Sequence, residues 1–149
     1  DDMGRRFVEA LANAKSRGVE VRVLIDGIGG GYFYSGAMRL LNDHGLPAAR
    51  FLHSWLPWRT SFLNLRNHKK LLIIDGTIGF TGGRNIGVEN LERTDGQGFV
   101  NDMHFRFEGP VVRQFSQSFA EDWLFTTGEA LIGVGWWPDL KPSGSTVPR

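Results

Sequence analysis

The 149 residues suffice for one compact domain with a buried core, and 41% hydrophobic with 22% charged residues is an ordinary soluble composition. A formal net charge of +1 excludes a surface that attracts polyanions globally, so any affinity for phosphate must be local. Cysteine is absent, which excludes disulfides and thiolate metal sites, and no apolar run approaches the ~20 residues of a membrane-spanning helix. No secretory signal pattern opens the chain. It starts directly in a helical pattern, as expected of a segment cut from a longer protein.

Phe7, Ala10, Leu11 and Ala14 recur at helical spacing, and Gly18 closes that helix. Val19, Val21, Val23 and Ile25 then alternate with other residues, which predicts a strand with one strongly apolar face. Asp26 to Gly31 follows as a glycine-rich loop. A second helix is expected from Ser35, as N-cap, to His44, with Gly45 after it, and a short strand from Ala48 to Leu52. Helix, strand, helix and strand in that order predict an α/β layer with a mostly parallel central sheet flanked by helices.

The stretch from His53 to Arg66 reads as a long loop loaded with Trp55, Leu56, Trp58 and Phe62. These side chains suit a core or the cover of a partner domain, and also a lipid interface, where tryptophan is favoured. The run Leu71-Leu72-Ile73-Ile74 predicts a buried central strand. Asp75-Gly76 is a turn signal, so this strand and Thr77 to Thr81 form a hairpin. Gly82-Gly83-Arg84-Asn85 makes a sharp break. Asp102 to Glu108 alternates as a strand. Pro110 opens a last helix, with Val111, Phe115, Phe119 and Trp123 on about one face. The organisation expected is a domain over residues 1–125 and a linker or tail over 126–149.

Chemistry concentrates after the long loop. His68 and Lys70 are two apart, so on a strand they share a side. An imidazole can act as nucleophile or proton carrier near neutral pH. An ammonium can hold a phosphate and offset charge that builds on it. Gly82 and Gly83 allow close backbone approach with donating amides, and Asn85 adds a neutral amide donor. Together these are parts for holding a phosphodiester while its phosphorus is attacked. Asp75 has two readings, a turn carboxylate and a catalytic one, the first carrying more weight. Asp26 is open between a ligand site at a strand end and a structural turn. His104 reads as a structural histidine or a residue lining the site, His44 as a partner of its helix dipole, and His53 as a surface residue.

The joint pattern His68, Lys70, Asp75, Gly82, Gly83 and Asn85 resembles the signature of the phospholipase D superfamily, His-x-Lys-x4-Asp-x6-Gly-[Gly/Ser]-x-Asn. The stretches 23–29, 79–87, 107–112 and 120–123 look like bacterial cardiolipin synthases, and the Phe-Thr-Gly-Gly-x-Asn-Ile-Gly form is typical of their first half. Asn101-Asp102-Met103-His104 falls where those proteins commonly have Arg-Asp-Thr-His, so Asp102 is kept while its neighbours differ.

The resemblance implies a half-domain that needs a second such motif, in the same parent chain or in a homodimer mate. It implies a phosphatidyltransferase or phospholipase reaction on anionic glycerophospholipid through a phosphohistidine, with no metal or other cofactor. His68 would be the nucleophile or, in the other assignment, the general acid, the first carrying more weight; Lys70, Gly82, Gly83 and Asn85 would bind the phosphate, and Asp102 would orient the histidine. The parent would associate with the bacterial cytoplasmic membrane, the fragment itself being soluble. The alternatives are a phosphodiesterase or nuclease of the same superfamily, which a net charge of +1 does not favour, and an isolated half-domain inactive alone.

Overall fold

The computed structural model describes residues 2–26, 31–51, 69–83 and 102–142, with the backbone alone for residues 31–35. These fall into two units, each with its own packing.

In the first unit, α1 (Asp2–Ser16) leads to β1 (Val23–Asp26), then α2 (Gly31–Asp43) and β2 (Ala48–Phe51). The end of α1 is set by Gly18, whose φ of 91° is the left-handed value that glycine adopts without strain. Gly18 N–H donates to Lys15 O and Val19 N–H to Ala14 O, which satisfies two terminal carbonyls. The end of α2 repeats the device. Gly45 N–H donates to Asn42 O and Leu46 N–H to Leu41 O. His44 adds its ring, with Nδ1 2.8 Å from Leu40 O.

β1 and β2 pair in parallel, Val23 with Ala48 through Asp26 with Phe51, so α2 is a crossover between parallel strands. Val8, Val21, Leu41 and Leu46 form the buried core, with Leu11, Val23, Ile25 and Met38 against it. Two boundaries differ from expectation. β1 begins at Val23 rather than Val19, because its partner strand starts only at Ala48; Val23 N–H donates to Pro47 O at the ladder's first rung. α2 begins at Gly31, so Ser35 lies a turn inside the helix rather than capping it. A good N-cap residue is only mildly unfavourable in a helix interior, and its presence does not force a start there.

In the second unit, β3 (Leu71–Ile74), β4 (Ile78–Gly82) and β5 (His104–Glu108) form an antiparallel sheet in that order, followed by α3 (Val111–Thr127). The expected hairpin is present. Asp75 and Gly76 take φ of 52° and 61°, as a type I′ turn needs, and Thr77 N–H donates to Ile74 O at 3.0 Å. β4, not β3, is the central strand of this sheet, and Ile74 at the end of β3 is 41% exposed. The apolar run, expected as a buried central strand, is an edge among the described residues, because apolar content does not set strand order. Parallel pairing is therefore carried by β1 and β2, while this sheet is antiparallel.

One face of the sheet packs on α3. Phe107 meets Phe115 at a ring-centroid distance of 5.3 Å, and a Cβ on Gly79 would sit 3.2 Å from Phe115 Cδ2. Of the face expected through Val111, Trp123 is buried and Phe115 packs on the sheet, while Val112 and Ser116 beside it are buried too. Ser116 meets its polar requirement locally, Oγ donating to Val112 O at 3.0 Å.

α3 continues past Phe125 to Gly128, a left-handed cap with φ of 75°. Beyond it the chain turns back along the helix. Trp123 Nε1–H donates to Glu129 Oε2 at 2.8 Å, Leu131 is buried, and Arg113 Nη2 donates to Pro138 O at 2.9 Å. Pro138 lies against Gly76 in the hairpin turn. The described part of the stretch read as linker or tail thus runs from the C-terminal to the N-terminal end of α3.

Candidate active site

Two adjacent lysines precede β3, and the sheet separates them. Lys69 Nζ donates to Asp122 Oδ2 on α3 at 2.7 Å, so Lys69 belongs to the helix-facing side. Side chains alternate along a strand, which puts Lys70 on the opposite side with Leu72 and Ile74. The register gives Lys70 its neighbours. Leu71 pairs with Thr81, so Lys70, one residue earlier, lies opposite Gly82, and Gly82 pairs with His104. Continued one residue past the start of β3, that register sets Lys70 in line with Gly82 and His104, on the face away from α3.

The glycine pair has a structural cause. A Cβ on Gly82 would strike Met103 O, stand 2.7 Å from His104 Cα and 3.0 Å from His104 Nδ1. A Cβ on Gly83 would strike the Asp102 carboxylate. β5 and the Asp102 side chain thus occupy the space that side chains at 82 and 83 would need. Asp102 Oδ1 accepts the Met103 N–H at 2.7 Å, which folds the carboxylate onto the start of β5. The Gly83 N–H donates to Met103 O at 3.0 Å. That amide is committed to the sheet, so the reading of Gly83 as a free donor to ligand fails. What both glycines supply is room for the start of β5 and the Asp102 side chain.

Lys70, Gly82, Gly83 and Asp102 are thereby brought to one end of the sheet: the start of β3, the end of β4 and the start of β5. Lys70 and Asp102 are half-buried there, and His104 is exposed. Asp75 does not join them. It sits in the hairpin turn at the other end of β3, five residues or roughly 17 Å along the strand from Lys70. His68 and Asn85 lie outside the described residues, as do His53 and the aromatic loop residues Trp55, Leu56, Trp58 and Phe62. Asp26 closes β1, paired with Phe51.

An ammonium, a carboxylate and an imidazole at one rim of a sheet can bind an anion and hold or move a proton. His104 carries little signal in the sequence alone. Its signal was the two-residue spacing from Asp102, which becomes informative only when β4 and β5 are in register.

Comparison with known proteins sharpens this picture. Residues 3–123 match the family described as cardiolipin synthase, PLD-like domain. A cardiolipin synthase of Alkalihalophilus pseudofirmus is 36% identical over 143 residues, which is 96% of this chain and 28% of that protein. One from Geobacillus sp. is 36% identical over 132 residues, 89% of this chain and 26% of the relative. Cardiolipin synthase A of Pseudomonas fluorescens is 35% identical over 130 residues, 87% of this chain and 27% of the relative. The chain thus spans about a quarter of the length of these relatives. No solved structure matches.

Proposed function

The chain belongs to the cardiolipin synthase, PLD-like domain family, and from that membership we propose that it supplies one half of a phosphatidyl-transfer site for anionic glycerophospholipid. The reading rests above all on the unbroken pattern His68, Lys70, Asp75, Gly82, Gly83, Asn85, whose Lys70 shares a sheet end with Asp102.

In the proposed reaction the His68 imidazole attacks phosphorus, and a P–N bond forms as the bond from phosphorus to the leaving alcohol breaks. A histidine from a second motif gives that alcohol its proton. The same histidine then takes a proton from the acceptor hydroxyl, which attacks phosphorus and releases His68. Lys70 and Asn85 hold the non-bridging oxygens and offset the charge that builds on them. Asp102 orients the His68 ring. Gly82 and Gly83 let the start of β5, with Asp102, come close to the end of β4. Asp75 acts through the turn that aligns β3 with β4.

The second motif comes from the same polypeptide or from a homodimer mate. The substrate phosphate lies at a lipid surface, so the working enzyme associates with the bacterial membrane. Among the described residues no helix is long and apolar enough to cross one.

The test is turnover. The protein, assayed over a range of concentrations and also joined to a second motif, is given phosphatidylglycerol in mixed micelles and, separately, single-stranded DNA. The expected products are cardiolipin and glycerol, with DNA untouched. A homodimer predicts a rate that rises with the square of protein concentration. Cleavage of DNA without turnover of lipid would overturn the proposal in favour of a nuclease.

A further inference from the structure

Resting on that reading, we propose that His104 is a second nitrogen ligand of the substrate phosphate, closing on it from the far side of Gly82 opposite Lys70. Four observations carry this. First, Lys70 and His104 lie on the same face of the sheet, the one away from α3, because Lys69 is held by Asp122 on the helix side. Second, the position between them in the row is Gly82. A Cβ there would stand 3.0 Å from His104 Nδ1, so the bare Cα is what lets the His104 ring sit close over the end of β4. Third, the two outer strands of the row are separated by two strand spacings, about 10 Å. One tetrahedral phosphate spans the remaining gap with a charge-assisted hydrogen bond of about 2.8 Å to each side.

Fourth, His104 is uncommitted. It is exposed, and among the described residues its side chain makes no hydrogen bond or ion pair. His44 shows the contrast: its Nδ1 is tied to Leu40 O at the end of α2. The next cation on the same face, Arg106, is paired with Glu108. His104 is therefore the uncommitted ring donor that the face offers beside Lys70. Its ring can donate from either nitrogen to a phosphate oxygen, and gains most when protonated.

The test uses the intact protein and two probes, inorganic phosphate and the soluble short-chain lipid dihexanoyl phosphatidylglycerol. Histidine-ring ¹⁵N NMR follows His104 directly, and titration gives the affinity. Saturable movement of the His104 ring resonances is expected with both probes, together with about tenfold or greater weakening in His104→Ala and in Lys70→Ala. His104→Gln, which keeps a polar side chain, guards against a folding defect in the alanine variant. If Lys70→Ala weakens binding while both His104 variants stay within twofold of wild type, this inference is overturned and the site reading stands. If wild type binds neither probe, both are overturned. A loss confined to inorganic phosphate keeps His104 as a phosphate ligand and overturns the lipid assignment.

Discussion

Gly82→Ala tests the close approach of β4 and β5 on which the site depends. The added methyl meets backbone, Met103 O and His104 Cα, rather than the far end of a flexible side chain. Backbone cannot swing aside, so the two strands must separate at this end. Overpacking of this kind costs about 1–3 kcal/mol. The adjacent ladder bond, Gly83 N–H to Met103 O at 3.0 Å, is strained or lost, at about 1 kcal/mol. The sum is about 2–4 kcal/mol of stability. Urea unfolding followed by circular dichroism measures it as a lower midpoint at unchanged slope. Gly36→Ala is the opposite case. It lies inside α2 with nothing within 4 Å of its added Cβ, and should gain about 0.5–1 kcal/mol by helix propensity. A Gly82→Ala protein within 0.5 kcal/mol of wild type would refute the reasoning, because the strands could not then be as close as described.

Lys69→Ala and Lys70→Ala should separate cleanly. Loss of the partly exposed Lys69–Asp122 pair costs under about 1 kcal/mol and leaves phosphatidyl transfer intact, whereas Lys70→Ala lowers turnover by about 10²–10³-fold with little change in stability. Equal effects on turnover would mean that the two lysines do not face opposite sides. For Asp75 a turn role predicts that Asn, which tolerates φ near 52°, keeps both fold and turnover, while Ala costs about 1–2 kcal/mol. Abolished turnover in a folded Asp75→Asn protein would restore the catalytic reading. Trp123→Ala removes a side chain only 3% exposed and should cost about 3–5 kcal/mol, read as a fall in thermal midpoint. A change below 1 kcal/mol would mean that the core of the second unit lies elsewhere.

Much of the local structure was legible because its causes are local. Gly18 and Gly45 end helices through their own backbone freedom, and Asp75-Gly76 makes its turn wherever it stands. The parallel pairing of β1 with β2 followed from the alternation of helix and strand. What escaped depends on partners distant in sequence. Leu71 to Ile74 looked like a central strand because apolar content reports burial, not strand order. Val19 to Arg22 carry strand propensity but meet no strand among the described residues, since β2 starts only after Pro47. At the site, the two-residue spacing of His68 and Lys70 predicts a shared side, and Lys70 alone of the two lies within the described residues. The reason for Gly82 and Gly83 was hidden, because Asp102 and His104 lie some twenty residues on and reach them only through the β4–β5 register.

The most direct test of the central claim is the covalent intermediate. The protein, in the form that turns over phosphatidylglycerol, is quenched at early times in alkali, where a phosphohistidine survives, and its peptides are mapped by mass spectrometry. The account predicts a phosphatidyl adduct on the peptide that contains His68, absent in His68→Ala. Undiminished turnover by His68→Ala, or an adduct found only on another residue, would contradict it.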